Sequence, residues 1–228
     1  MKKIVLGAIV ALISTSCIYN LEFNTGKKSH VVCNGPVETR TFDLAGFNSI
    51  TVNGSADVEI FQADSFSFSV TANAPVFDHL DYRVEDGVLI LETKEHVKIK
   101  AKTFDITIFM PELTTLTVNG AGDVDLKNGY ASANGMDIVI NGAGDIDITG
   151  IAVPSLGVGI NGAGDVDIND MNVDYVSVRI SGAGDVDLSG KAGSANFSVS
   201  GAGDIDARSL ECTDVKTSKS GLASIRLK

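Results

Sequence analysis

Asn161-Gly162-Ala163-Gly164-Asp165-Val166-Asp167 decides the fold, because close copies of this block begin at Asn119, Asn141, Asn161, Ser181 and Ser200. The steps between successive starts are 22, 20, 20 and 19 residues. A degraded copy starts at Ser220, where Ala223-Ser224 replace the Gly-Asp pair, and an earlier relative reads Asn53-Gly54-Ser55-Ala56-Asp57-Val58-Glu59. Asn53 precedes Asn119 by 66 residues, or three steps of 22, so the spacing predicts diverged coils between the two. A fixed period of this length is the mark of a repeat architecture.

The residues flanking the block say which architecture. Before it, apolar side chains alternate at Leu116 and Val118, Ile138 and Ile140, Val158 and Ile160, Val178 and Ile180, and Phe197 and Val199. After it they alternate again at Val124 and Leu126, Ile146 and Ile148, Val166 and Ile168, and Val186 and Leu188. Period two is a strand with one buried face. Helical repeats need 33 residues or more, whereas about 20 hold one turn of two or three short strands. The expectation is therefore an all-β, parallel β-helix, a β-solenoid of about 20 residues per coil. It is expected to be right-handed because parallel crossovers are. The bend between strands falls on the paired glycines Gly120 and Gly122, Gly142 and Gly144, Gly162 and Gly164, Gly182 and Gly184, and Gly201 and Gly203. These are expected to supply the positive φ of a tight corner, with the intervening alanine pointing inward.

Ahead of the repeats the pattern is less regular. Strand-like runs fall at Ser49 to Val52, Phe66 to Val70 and Asp105 to Phe109, and Tyr82–Glu85 and Val88–Leu91 flank the hairpin dipeptide Asp86-Gly87. Four segments follow: a lipoprotein signal peptide over 1–16, a polar tether over 17–36, an irregular N-terminal β portion of the solenoid over 37–102, and regular coils with a C-terminal capping coil over 103–228. Lys216, Lys219, Arg226 and Lys228 in the last copy break the acidic pattern, as befits a blunted solenoid end.

The leader reading rests on Lys2 and Lys3, an apolar run from Ile4 to Ile13, and small residues Ser14, Thr15 and Ser16 directly before Cys17. The run is too short to span a bilayer, which takes about 20 residues. A small-residue stretch ending at a cysteine looks like a bacterial lipobox, making Cys17 the lipidated residue and the membrane a partner; ordinary signal cleavage is the alternative. Cys33 and Cys212 would tie together the two ends of an elongated fold, so free thiols are expected, with a disulfide as the alternative.

Composition narrows function. The 228 residues are 44% hydrophobic, enough for a core, and Lys+Arg of 18 against Asp+Glu of 29 gives −11, which excludes a nucleic-acid role that wants a basic face. With no Trp, stacking on sugars is disfavoured. The candidate chemistry lies in two acidic columns, since both aspartates of Asp-Val-Asp face one way. One column is Asp123, Asp145, Asp165, Asp185 and Asp204; the other is Asp125, Asp147, Asp167, Asp187 and Asp206. Carboxylates about 5 Å apart repel by about 1 kcal/mol per pair in water. Either the first column caps backbone N–H groups while water and salt screen the second, or Ca²⁺ bridges the coils. The block is similar in part to the calcium-binding glycine-rich β-roll, but its period and glycine order differ. Otherwise no cofactor is expected. Catalysis is not expected: the acidic residues repeat uniformly, and His30, His79 and His96 stand outside the repeats.

The lipoprotein-like leader, the Gly-Ala-Gly-Asp repeats and the string Gly159-Ile160-Asn161-Gly162 resemble the putative auto-transporter adhesin, head GIN domain family of Bacteroidetes. The resemblance covers about residues 40 to 210 and implies a β-helical exported domain with no catalytic residues. Read with the leader, it gives a non-catalytic cell-envelope lipoprotein, on the outer membrane, with a scaffold for adhesion or surface interaction with a protein or glycan. The alternatives are a calcium-dependent structural or binding module and, third, a polysaccharide-active β-helix enzyme.

Overall fold

The computed structural model describes residues 30–94 and 97–228. The signal peptide, Cys17, the tether before residue 30 and His96 lie outside the described residues. The rest forms a β-solenoid of about six turns, with parallel bridges roughly 20 residues apart.

Each regular coil contributes to three stacks of parallel strands. The first stack runs, in spatial order, through Val88–Thr93, Ser49–Asn53, Thr115–Val118 and Met136–Ile140. It continues through the last residues of the long strands Ile146–Ile160, Val166–Gly182 and Val186–Gly201, and ends on Asp214–Gly221. The second runs from Phe104–Met110 through Asp57–Gln62, Val124–Lys127 and the first residues of the same long strands to Asp204–Glu211 and Ser224–Leu227. A short third stack joins Tyr130, Ile151, Met171, Gly190 and Leu210. Because register is kept from coil to coil, inward side chains form continuous columns such as Val118, Ile140, Ile160, Ile180 and Val199, all fully buried. Such columns give the regular coils a mainly aliphatic core, with Tyr130 and Phe197 the aromatics buried in it.

Three expectations are corrected. The coil of Asn53 packs directly on the coil of Asn119, with Val58 opposite Val124, so no coils intervene. The chain from Ala63 to Thr114 instead leaves the stack on its far side and returns. There Val88–Thr93 and Phe104–Met110 add one further parallel rung. The antiparallel strands Val37–Phe42, Ser67–Asn73 and Leu80–Glu85 then close that end. The hairpin at Asp86 and Gly87 forms with φ of 49° and 80°.

The second correction concerns the alanines. Ala121, Ala143, Ala163, Ala183 and Ala202 are exposed, and the glycine after each is the buried member. Alternation simply continues through the corner. The third concerns the glycines' purpose. Gly142 and Gly144 are not in the positive-φ region, which in the five blocks is reached only by Gly201 at 142°. Their role is clearance: a Cβ on Gly142 would overlap the carbonyl oxygen of Gly120, and one on Gly144 would overlap that of Gly122 and lie 3.1 Å from Val118. Positive φ is needed at the opposite corner, between the second and third stacks, and is met by Asn128, Gly129, Gly150, Asp170 and Gly190.

Buried polar groups are paired. Asn73 donates to the Gly35 carbonyl at 2.9 Å and accepts from the N–H groups of Lys102 and Thr103 at 3.0 and 3.1 Å, tying three loops of the closed end together. Cys33 is buried at that end and Cys212 lies in the last coils; both are free thiols. At the C-terminal end the inward positions held by Phe197 and Val199 pass to Thr217 and Lys219. Both are exposed there, and a charge in the register of the inward column disfavours further strand addition. No helix among the described residues is long and apolar enough to cross a membrane.

Candidate functional site

Strand register places all ten block aspartates in two ladders on one edge of the solenoid, and the two ladders differ in chemistry. In the first, each carboxylate accepts the backbone N–H of the aspartate one coil on. Asp123 takes Asp145 at 3.3 Å, Asp145 takes Asp165 at 3.0 Å, and Asp165 takes Asp185 at 2.9 Å. Asp185 takes Asp204 at 2.9 Å, and Asp204 takes Ser224 at 3.0 Å. A carboxylate accepting an N–H is a charge-assisted bond, and here it satisfies a donor at the strand start. Beside it runs a side-chain amide ladder. Asn161 donates to Asn141 at 2.9 Å, Asn141 to Asn119 at 2.9 Å, Asn119 to Asn53 at 2.8 Å, and Asn53 to Glu92 at 3.3 Å.

The second ladder makes no such bonds to the backbone of the next coil. Cations stand at its two ends: Lys127 on Asp125 at 2.9 Å, and Arg208 on Asp206 at 2.5 Å with Arg226 3.8 Å away. Between them the carboxylates face one another. Partial burial raises the Asp147 carboxyl above the usual range, with Asp125 adding to it. Asp167 is raised for the same reason, with Asp187 and Asp147 adding. At the end, hydrogen bonding to Arg208 brings Asp206 down to about 2.

Where the regular coils meet the closed end, Asp57, Glu59 and Asp105 join Asp123, Asp125 and Asp147 around a shallow groove. Asp57 is raised by burial first, then by Asp123 and Asp105. The sequence reading missed Asp57 and Glu59 as column members although they occupy the two aspartate positions of the Asn53 block; Asp105 arrives from the returning strand and carries no such signal. Carboxylates strung out in ladders do not converge. Among the described residues no three His, Cys, Asp or Glu side chains group so as to hold a metal ion, whereas Ca²⁺ takes six to eight oxygens.

A family model described as putative auto-transporter adhesin, head GIN domain, matches residues 46–228. No curated protein matches the chain. Three solved structures share the fold. A putative lipid binding protein from Parabacteroides distasonis is 24% identical, over 87% of this chain and 84% of that one, with a TM-score of 0.83. A putative adhesin from the same organism is 23% identical, over 87% and 85%, with a TM-score of 0.78. A putative adhesin from Bacteroides fragilis is 22% identical, over 86% and 98%, with a TM-score of 0.70.

Proposed function

We propose, from the premise that the chain belongs to the putative auto-transporter adhesin, head GIN domain family, that it is a non-catalytic cell-envelope lipoprotein whose β-helix is a scaffold for adhesion. The observation that carries the reading is the division of labour on the acidic edge. The first aspartate ladder and the asparagine ladder are consumed in holding coils together. The second is uniform along its middle, so no coil is set apart as a reaction centre, and acid-base catalysis needs groups in distinct, opposed environments. A long, regular, acidic face suits contact with an extended surface instead. Cys17 supplies the anchor and the polar residues after it the reach, with the outer membrane as the site of attachment.

Two measurements test this. Cys17→Ala should move the chain out of the membrane fraction and abolish palmitate labelling; retained labelling would end the lipoprotein reading. Cells displaying the wild-type chain should be retained on immobilised mucin or on neighbouring cells more than cells lacking it, and equal retention would remove the adhesion role. Protease shaving of intact cells then tells the outward face from the periplasmic one. A calcium-dependent binding module is the second reading, favoured by the stacking of Asp147 between Asp125 and Asp167 in the second ladder, where burial raises Asp147 and Asp167 and neighbouring carboxylates add to it.

A further inference from the structure

The glycine corners carry a backbone ladder that is complete except at its head. In each coil the residue between the two glycines donates its N–H to the first glycine of the coil before. Ala121 donates to Gly54, Ala143 to Gly120, Ala163 to Gly142, Ala183 to Gly162 and Ala202 to Gly182, all at 2.8 to 2.9 Å. Ser55 holds the equivalent place in the first coil, and its N–H has no backbone acceptor among the described residues. The rung that would supply one does not make the corner. The next described strand after Thr93, Lys98–Ala101, pairs with His30–Cys33 and not with the stack, which resumes at Phe104. Packing shows the same gap. A Cβ on Gly120, Gly142, Gly162 or Gly182 would overlap a carbonyl oxygen one coil back, whereas nothing lies within 4 Å of one on Gly54.

That missing corner is the floor of a groove. Gly54, Ser55 and Ala121 form the solenoid side, and His30, Lys98, Ile99 and Lys100 on the two-stranded sheet form the facing wall. Lys98 and Lys100 are exposed, a pair of neighbouring cations on a chain of net charge −11. Among the described residues the anion in the lining is Glu92, and it is already engaged: one oxygen takes Arg83 and the other takes Asn53. The groove thus has the Ser55 N–H and hydroxyl on its solenoid side and Lys98 and Lys100 in its facing wall, with the glycine floor between them. A neutral carbonyl would use the N–H but not the lysines. An oxygen carrying negative charge uses both.

We propose that this groove binds an oxyanion, a carboxylate or a phosphate monoester, with Ser55 N–H as hydrogen-bond donor and Lys98 and Lys100 as counter-charges. Ser55 is exposed, so water meets its N–H when the groove is empty and the anion displaces it. The site stands apart from the acidic edge, and its test uses purified protein, so it does not depend on the adhesion reading.

The ¹⁵N-labelled mature chain would be titrated with glucuronate, glucose 6-phosphate and glucose at millimolar concentrations. The Ser55 and Gly54 amide signals should move with at least one anion and not with glucose, and the stronger anion identifies the source of the charge. Lys98→Ala/Lys100→Ala should weaken that binding at least tenfold, equivalent to about 1.4 kcal/mol. Gly54→Ala, which has room for its methyl group, should melt with the wild type yet weaken binding by raising the groove floor. Raising salt should weaken it further. Equal response to glucose, no movement with either anion, or binding indifferent to the double lysine variant would each overturn the proposal.

Discussion

Replacing Asp147, Asp167 and Asp187 with Asn removes three adjacent charges from the second aspartate ladder and leaves side-chain shape nearly unchanged. Stacked strands are about 4.8 Å apart, so neighbouring carboxylates are at about that distance. Coulomb's law then gives about 1 kcal/mol of repulsion per adjacent pair in a water-like dielectric. Four such pairs, from Asp125 through Asp147, Asp167 and Asp187 to Asp206, disappear in the variant, the last of them already offset by Arg208. These groups are largely exposed, and solvent screening discounts the sum to about 1 to 2 kcal/mol at low salt. For a chain of this size 1 kcal/mol moves Tm by about 2 to 4 °C, so the variant should melt several degrees higher in metal-free, low-salt buffer. At 0.15 M salt the Debye length shrinks to about 8 Å, still longer than the strand spacing, so the gain should fall to about half. The counterpart in the first ladder is Asp165→Ala, which leaves the Asp185 N–H without its 2.9 Å acceptor. That should cost about 1 kcal/mol, with Asp165→Asn milder because its amide oxygen still accepts. The assay is thermal melting of all four proteins, with and without millimolar calcium. A triple variant that melts below wild type in metal-free buffer would refute the reasoning, since those carboxylates would then be making structural bonds. A wild type raised by calcium, with the gain lost in the triple variant, would move the second ladder from strained surface to metal site.

Gly162→Ala should destabilise the solenoid strongly, because the methyl group would overlap the Gly142 carbonyl oxygen, whereas Gly54→Ala should melt with wild type; similar melts for both would show that clearance does not fix the glycines. Val166→Asp puts a carboxylate at a fully buried position with no polar partner and should cost several kcal/mol, with Val166→Ile far milder; an aspartate variant within a degree or two of wild type would place Val166 outside the core. Stability should pass through a maximum at mildly acid pH. Asp147 and Asp167 are raised above their unfolded value of 3.8, so their unfavourable contribution is full above the raised folded pKa and fades as pH falls through it. Asp206, lowered to about 2, contributes stability above 3.8 that is lost as pH falls through 2. Chemical denaturation from pH 7 to 2 would show this, and the Asn triple variant should lose the gain on mild acidification.

The regular coils were legible because period two and period 20 are both written in the chain: once Val124, Ile146, Val166 and Val186 are inward, register and both aspartate ladders follow. The corner was misread where the same rule was abandoned. Counting back by two from Val124 puts Gly122 inside and Ala121 outside, as found, and a corner whose inner wall touches the carbonyl of the coil below has no space for a Cβ. The spatial order of coils was not legible. A gap that is a multiple of the period is consistent with coils in series and equally with an excursion that leaves and returns in phase. Only the long-range pairing of Val58 with Val124 separates the two. The cations at the ladder ends were hidden for a similar reason: Lys127 and Arg208 follow their aspartates by two residues, a common spacing that means nothing until the strand places both on one face.

In a solenoid, what repeats is what stacking requires. The asparagine amide, the first aspartate and both glycines recur because each coil must bond to, or clear, the coil below. A recognition site needs asymmetry, which stacking alone does not generate, so it belongs where the repeat is interrupted. The interruptions here lie at the two ends and have opposite character. At the C-terminal end Thr217 and Lys219, both exposed, occupy the register of the buried Phe197 and Val199, and a charge there disfavours a further strand. At the other end the asparagine ladder is closed by Glu92, while the adjacent backbone ladder stops at Ser55, beside a lysine-lined groove. One end is built to refuse a partner, and the other keeps a backbone donor and two cations in reach of one.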